Sequence, residues 1–125
     1  IDFDDVMIEN NFSGGRAYSQ SKLAQIMFTF DLAEELAGTG VVVNALHPAT
    51  YMDTGMVRRA GLTPRATVGE GADAVMQLIV SPDIGSGGYF NRMQPARADG
   101  QAYDEEARRK LRMLSEELTG APTIP

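Results

Sequence analysis

Alternating helical and strand-like segments predict an α/β fold for this 125-residue chain. Three observations carry that prediction. An apolar stripe recurs at three- and four-residue steps from Ala17 to Ala37. A short β-branched run at residues 41–46 follows it, after Thr39-Gly40. Two further helical patterns, opened by Thr67 and Asp104, then alternate with a second strand candidate at Gly88-Tyr89-Phe90.

Residues 1–13 are a polar loop rich in Asp and Asn that ends at Ser13-Gly14-Gly15. A helix runs from Arg16, turning Ala17, Leu23, Ile26, Met27, Phe30, Ala33, Leu36 and Ala37 toward a core, and Gly38 and Gly40 stop it. Residues 41–46 have the character of a strand buried on both faces of a parallel sheet. His47-Pro48 ends that strand, because proline has no N–H for the ladder. Residues 49–66 form a long loop with one helical turn near residues 56–60. Thr67-Val68-Gly69-Glu70 has capping-box spacing, and the helix it opens is expected to bury Val68, Ala72, Val75, Met76 and Ile79 before Ser81-Pro82. Residues 84–88 are a turn region, residues 88–90 a short strand and residues 91–102 irregular. Asp104 caps a last helix with Ala107, Leu111, Leu114 and Leu118 on one face, closed by Gly120 and Pro122. There is no internal repeat, and residues 1–125 are treated as part of one domain. Two short strands do not make a stable parallel sheet, so neighbours are expected from upstream in the same polypeptide or from another chain. The chain opens at Ile1 without an initiator Met, as though cut from something longer.

The totals exclude several classes. Seventeen acids against eleven bases leave a formal charge of −6, which argues against nucleic-acid or anionic-membrane partners. No apolar run reaches the roughly 18 residues of a membrane span, and the N-terminus lacks signal-peptide order. With no cysteine there is no disulfide framework, thiolate metal site or cysteine nucleophile. A cytoplasmic location is expected.

Chemistry concentrates in Tyr18-Ser19-Gln20-Ser21-Lys22. A spacing of four puts phenol and ammonium on one helical face. Unperturbed tyrosine titrates near ~10, too high for a proton shuttle at neutral pH. A nearby ammonium and the positive helix N-terminus both favour the phenolate, which lets the group exchange protons with an alcohol or carbonyl oxygen. Taken alone, Tyr-x-x-x-Lys is common by chance.

Its company is more specific. The pair opens a long amphipathic helix; Thr39-Gly40, a strand ending Val43-Asn44-Ala45-Leu46, then His47-Pro48 and a polar loop follow. This order resembles the short-chain dehydrogenase/reductase family from its catalytic helix onward, over nearly all of the chain, and is most similar to retinol-dehydrogenase-like members and bacterial oxidoreductases of undefined substrate. The resemblance implies the C-terminal part of a doubly wound Rossmann-type parallel sheet, with the N-terminal dinucleotide-binding half absent from this sequence. It implies an NAD- or NADP-dependent oxidoreductase acting on a small-molecule alcohol or carbonyl. Tyr18 would be the general acid/base, and Lys22 would hold the nicotinamide ribose and favour the phenolate. Pro48, Ala49, Tyr51 and Thr54 would line the cofactor, the backbone of Tyr51 or Met52 meeting its carboxamide.

Two departures stand in that loop. Ala49 replaces the family's usual glycine, and Thr54 sits one residue late, leaving Thr50 as the alternative hydroxyl. The Gly-rich phosphate turn, the residue that reads the ribose 2′ position, and the family's serine and asparagine partners of the tyrosine are not in this sequence.

Other residues have competing readings. His47 follows a strand end, a common place for catalytic groups, but the resemblance implies a turn-shaping residue there, and Asp2, Asp4 and Asp5 form a solvated acidic loop rather than a metal site. Met52, Met56, Tyr51 and Val57 either line a substrate pocket or pack a mobile lid. Arg108, Arg109, Lys110 and Arg112, among Glu105, Glu106, Glu116 and Glu117, read as a solvated face laced with i,i+4 pairs. Met27, Phe28, Phe30 and Leu32 spread apolar surface around the first helix, and with the resemblance this leads to an expected homodimer or homotetramer. Two alternatives to the oxidoreductase remain. A sugar-nucleotide epimerase or dehydratase also uses Tyr-x-x-x-Lys, though the His47-Pro48-Ala49-Thr50 segment argues against it, and a non-catalytic module would keep the fold without the cofactor.

Overall fold

Ser13 starts the first helix. Its hydroxyl accepts the Arg16 N–H at 3.1 Å, so α1 runs Gly14–Glu35, two residues earlier than the apolar pattern suggests. In this computed structural model, which describes residues 1–121, the order continues β1 (Ala45–His47), α2 (Gly55–Arg59), α3 (Val68–Val80), β2 (Tyr89–Asn91), β3 (Gln94–Ala96), a 3-10 turn (Gly100–Tyr103) and α4 (Glu105–Thr119). Both expected caps are present. Thr67 and Glu70 close a full capping box, and the Asp104 carboxylate accepts the Glu106 and Ala107 N–H groups at 3.0 and 3.1 Å. Gly120 ends α4 in the left-handed region at φ 66°, while Pro122 lies outside the described residues.

The α/β expectation holds, but the sheet is mixed rather than parallel throughout. β1 pairs parallel with β2, and β2 turns through Arg92-Met93 into antiparallel β3, a hairpin inside the stretch expected to be irregular. The first strand is also shorter than residues 41–46, and His47 belongs to it. Val41 and Val42 are about half exposed, with no strand beside them among the described residues. Val43 and Asn44 are tied to the 85–88 turn by isolated bonds instead of a ladder.

The core forms where α1 meets the 3-10 turn and α4. Met27, Phe30, Ala102 and Ala107 are buried there, with Leu23, Ile26, Phe3 and Leu111 packed around them. The Phe30 and Tyr103 rings lie 5.2 Å apart and tilted. Arg108 corrects the expectation of a wholly solvated basic face. Its side chain is only 7% exposed, with Nε on Asp31 at 2.6 Å and Nη2 on Glu34 at 2.7 Å. Its partners are on α1, whereas Arg109 and Lys110 make the surface pairs with Glu106 that helical spacing expects.

α3 carries a second correction. Val68, Ala72, Val75, Met76 and Ile79 are exposed, and the buried positions are Gly71 and Ala74. Small residues let Met52 come close: a Cβ on Gly71 would lie 2.2 Å from the Met52 Sδ. The apolar stripe is real but uncovered among the described residues. The chain exposes 8397 Å² in all. A compact globular chain of its mass exposes roughly 6,500 Å². The α3 stripe and the Val41-Val42 segment contribute to that excess. Among the described residues, no helix is long and apolar enough to cross a membrane.

Candidate active site

Tyr18 lies in the second turn of α1 and is 61% exposed. Lys22, one turn on, shares its face, with Nζ 5.6 Å from the phenol ring centroid and bonded to Gln25 Oε1 at 3.2 Å. Among the described residues no carboxylate pairs with Lys22 within 4.0 Å, so the ammonium remains available beside the phenol.

The opposite side of the same turns is anchored. Arg16 reaches Asp2 at 2.6 Å, the Asn10 carbonyl at 3.0 Å and Asp5 at 3.8 Å. Gln20 accepts the Asp2 N–H and donates to the Val6 carbonyl, both at 2.9 Å. Asp5 accepts the Glu9 and Asn10 N–H groups at 2.8 and 3.0 Å. Burial acts to raise the Asp5 pKa, but those N–H groups and the Arg16 charge together hold it below the ordinary carboxylate value. Asp2 and Asp5 are thus committed to Arg16 and to backbone.

The loop leaving β1 holds the remaining candidates. Pro48 is half-buried, and Ala49 is buried, so the methyl that stands where the family has glycine is packed inside. Thr50 is bonded to His47 Nε2 at 3.1 Å, across the turn that leaves β1. Tyr51 is exposed and left-handed at φ 46°, unusual for a bulky residue. Its carbonyl accepts the Arg65 N–H at 2.9 Å, and the Arg65 guanidinium lies 5.4 Å from its ring centroid. Met52 pairs with Ala66 in a parallel bridge, and the Asp53 N–H reaches the Ala66 carbonyl at 2.9 Å. Residues 53–65 are therefore closed into a loop stitched at its base. Thr54 caps α2 by accepting the Val57 N–H at 3.4 Å. Arg58 grips Asp53 through two bonds of 2.6 and 2.7 Å, a side-chain interaction that lowers the Asp53 pKa and raises that of Arg58. Of the four residues proposed to line a pocket, Val57 is buried, Met52 half-buried, and Tyr51 and Met56 exposed.

α1 packs on β1, which places the Tyr18 helix and the loop after β1 in one packed unit. The structure brings Tyr18 and Lys22 together; it leaves both loop threonines engaged in local bonds. A surface hollow of about 250 Å³ lies elsewhere, between α1 and α4, lined by Phe28 and Leu111 among others. The Arg16, Gln20 and Asp5 network was not anticipated from the pattern, although Arg16 and Gln20 bracket Tyr18 at helical spacing.

Comparison with known proteins converges on one family. A family model described as short chain dehydrogenase matches residues 6–64, a span that includes Tyr18, Lys22 and most of the following loop. Retinol dehydrogenase 14 of Mus musculus is 36% identical over 135 aligned positions, covering 96% of this chain and 40% of its own length. Retinol dehydrogenase 13 of Homo sapiens is 33% identical, covering 99% of this chain and 43% of its own. Retinol dehydrogenase 12 of Homo sapiens is 32% identical, with 96% and 41% covered. The chain thus spans about two-fifths of the length of these relatives.

Proposed function

The chain belongs to the short-chain dehydrogenase family, and on that premise we propose that the protein carrying it is an NAD(P)-dependent oxidoreductase interconverting an alcohol and a carbonyl. The observation that carries this reading is the exposed Tyr18 phenol with the Lys22 ammonium 5.6 Å from its ring. In the oxidation direction Tyr18 Oη accepts the alcohol proton; in reduction it returns that proton to the carbonyl oxygen. Lys22 supports the transfer by stabilising the phenolate, since its positive charge has no carboxylate partner within reach among the described residues.

A phenol, an ammonium and the backbone of the Tyr51 turn suit the ribose and nicotinamide end of such a cofactor. Lys22 would hold the ribose hydroxyls, and Pro48, Ala49, Tyr51 and Thr54 would flank the ring. When bound, a nicotinamide dinucleotide supplies or receives the hydride. No Gly-rich phosphate cradle occurs among these 125 residues.

The sheet is read here as the C-terminal part of a doubly wound one, and the protein as a homodimer or homotetramer. Retinol, the substrate in the relatives' names, is an apolar alcohol, and the exposed Tyr51 and Met56 on the loop after β1 would suit an apolar substrate of that kind. The test is to assay the full chain on apolar alcohols and aldehydes with each nicotinamide cofactor, following nicotinamide absorbance and product. Cofactor-dependent turnover is expected. Absence of both cofactor binding and turnover would contradict the proposal.

A further inference from the structure

We propose that Arg16, together with Gln20 and the Asp2–Asn10 segment, is a positioning device that holds the first turns of α1 and so sets where Tyr18 presents its hydroxyl. This rests on the reading of Tyr18 as acid/base and deepens it.

The need for such a device lies in the sequence. α1 opens with Gly14-Gly15, the weakest helix-forming pair short of proline, and nothing packs where their Cβ atoms would be. The first turn of any helix also lacks intrahelical partners for its N–H groups. Here the Ser13 cap satisfies only the Arg16 N–H among them. Tyr18 follows immediately, on an open face. Left to itself, this end would fray, and the phenol would move with it.

Arg16 and Gln20 answer that need from behind. They lie one turn apart and two residues either side of Tyr18. Two residues turn an α-helix by about 200°, so both point away from the phenol. Their contacts reach Asp2, Val6 and Asn10, so the loop grips both turns without occupying the Tyr18 face.

The loop is itself held. Asp5 caps the Glu9 and Asn10 N–H groups, its carbonyl accepts the Ile8 N–H at 2.9 Å, and its side chain is only 13% exposed. Ile8 is buried in the left-handed region at φ 55°, and Asn11 follows at φ 52°. A β-branched residue stays there only where its surroundings over-determine it. Arg16 therefore meets two fixed acceptors, Asp5 and the Asn10 carbonyl, besides the more exposed Asp2.

The experiment compares Arg16→Ala, Arg16→Lys, Gln20→Ala and Tyr18→Phe in the full chain, measuring kcat for alcohol oxidation, cofactor affinity, and folding by circular dichroism. Arg16→Ala is expected to stay folded and bind cofactor normally while kcat falls on the order of 10-fold to 100-fold. Arg16→Lys, which keeps the charge but loses the fork, should fall between wild type and Arg16→Ala. Gln20→Ala should lower kcat in the same direction, again with cofactor affinity unchanged. These two milder variants carry the test if Arg16→Ala does not fold. Tyr18→Phe inactive beside folded Arg16 and Gln20 variants whose kcat matches wild type would overturn the positioning role and leave the acid/base reading standing. A kcat loss that merely tracks lost folded protein, or that comes with an equal loss of cofactor affinity, would overturn it equally. An active Tyr18→Phe enzyme would remove the acid/base reading, and the positioning role with it.

Discussion

Gly71→Ala probes how the loop after β1 is held. The added Cβ would sit 2.2 Å from Met52 Sδ and 3.5 Å from its Cγ and Cε. Comfortable heavy-atom contact begins near ~3.5 Å, so more than an ångström must open. The Met52 backbone is poorly placed to yield, because it pairs with Ala66 and the next residue donates to the same carbonyl. The side chain must leave its rotamer or swing toward solvent, an over-packing cost of about 1–3 kcal/mol. Replacing glycine by alanine inside a helix returns about 1 kcal/mol. The net expectation is a loss of about 0–2 kcal/mol. Gly69→Ala is the control, since its nearest neighbour would be Thr67 Oγ1 at an ordinary 3.7 Å. It should stabilise by up to about 1 kcal/mol, so the two substitutions should differ by about 1–3 kcal/mol. Urea unfolding followed by circular dichroism gives both values from shifts in midpoint at constant slope. Adding Met52→Ala should remove most of the Gly71→Ala penalty, seen as a favourable coupling in a double-mutant cycle. Equal stabilisation by the two alanines, or no coupling to Met52, would refute the reasoning.

Further outcomes are expected. Arg108→Ala should cost about 3 kcal/mol or more in denaturant, because it leaves the largely buried Asp31 carboxylate without its partner. Arg109→Ala, on the exposed face, should leave the midpoint close to wild type in the same assay. Arg58 holds the Asp53 carboxyl below its ordinary value of 3.8, so that ion's contribution is complete above the ordinary value and lost as pH falls through the depressed one. The stability gap between wild type and Asp53→Asn should therefore be constant near neutrality and close below about pH 3.8, which acid-range urea titrations would show. Lys22→Ala should reduce both turnover and cofactor affinity, on the order of 10-fold each, measured by steady-state kinetics and fluorescence titration.

Local chemistry was legible in the sequence, and tertiary cover was not. The Thr67 and Asp104 caps need only residues two or three positions away, and both formed as their spacing implied. Tyr18 and Lys22 met for the same reason. The 41–46 strand shortened because a ladder needs a neighbour, and periodicity does not say where one lies. The α3 stripe told which side chains are apolar but not that Gly71 and Ala74 would make the close contact. Arg108 resembled its exposed neighbours because Asp31 and Glu34 are far away in sequence. The β2–β3 hairpin was hidden by its chemistry. Arg92, not glycine or asparagine, takes the left-handed turn at φ 56°, and Pro95 disguises an edge strand. Likewise, the Asp5–Arg16 network depends on a loop turned by Ile8 and Asn11, residues that carry no glycine signature.

The central claim is that Tyr18 transfers the proton. The most direct measurement is the turnover of the full chain carrying Tyr18→Phe, taken with its cofactor affinity. The phenyl ring keeps the packing and the cation–π contact while removing only the hydroxyl. The account predicts turnover reduced to background with cofactor affinity nearly unchanged; turnover near wild type would contradict it.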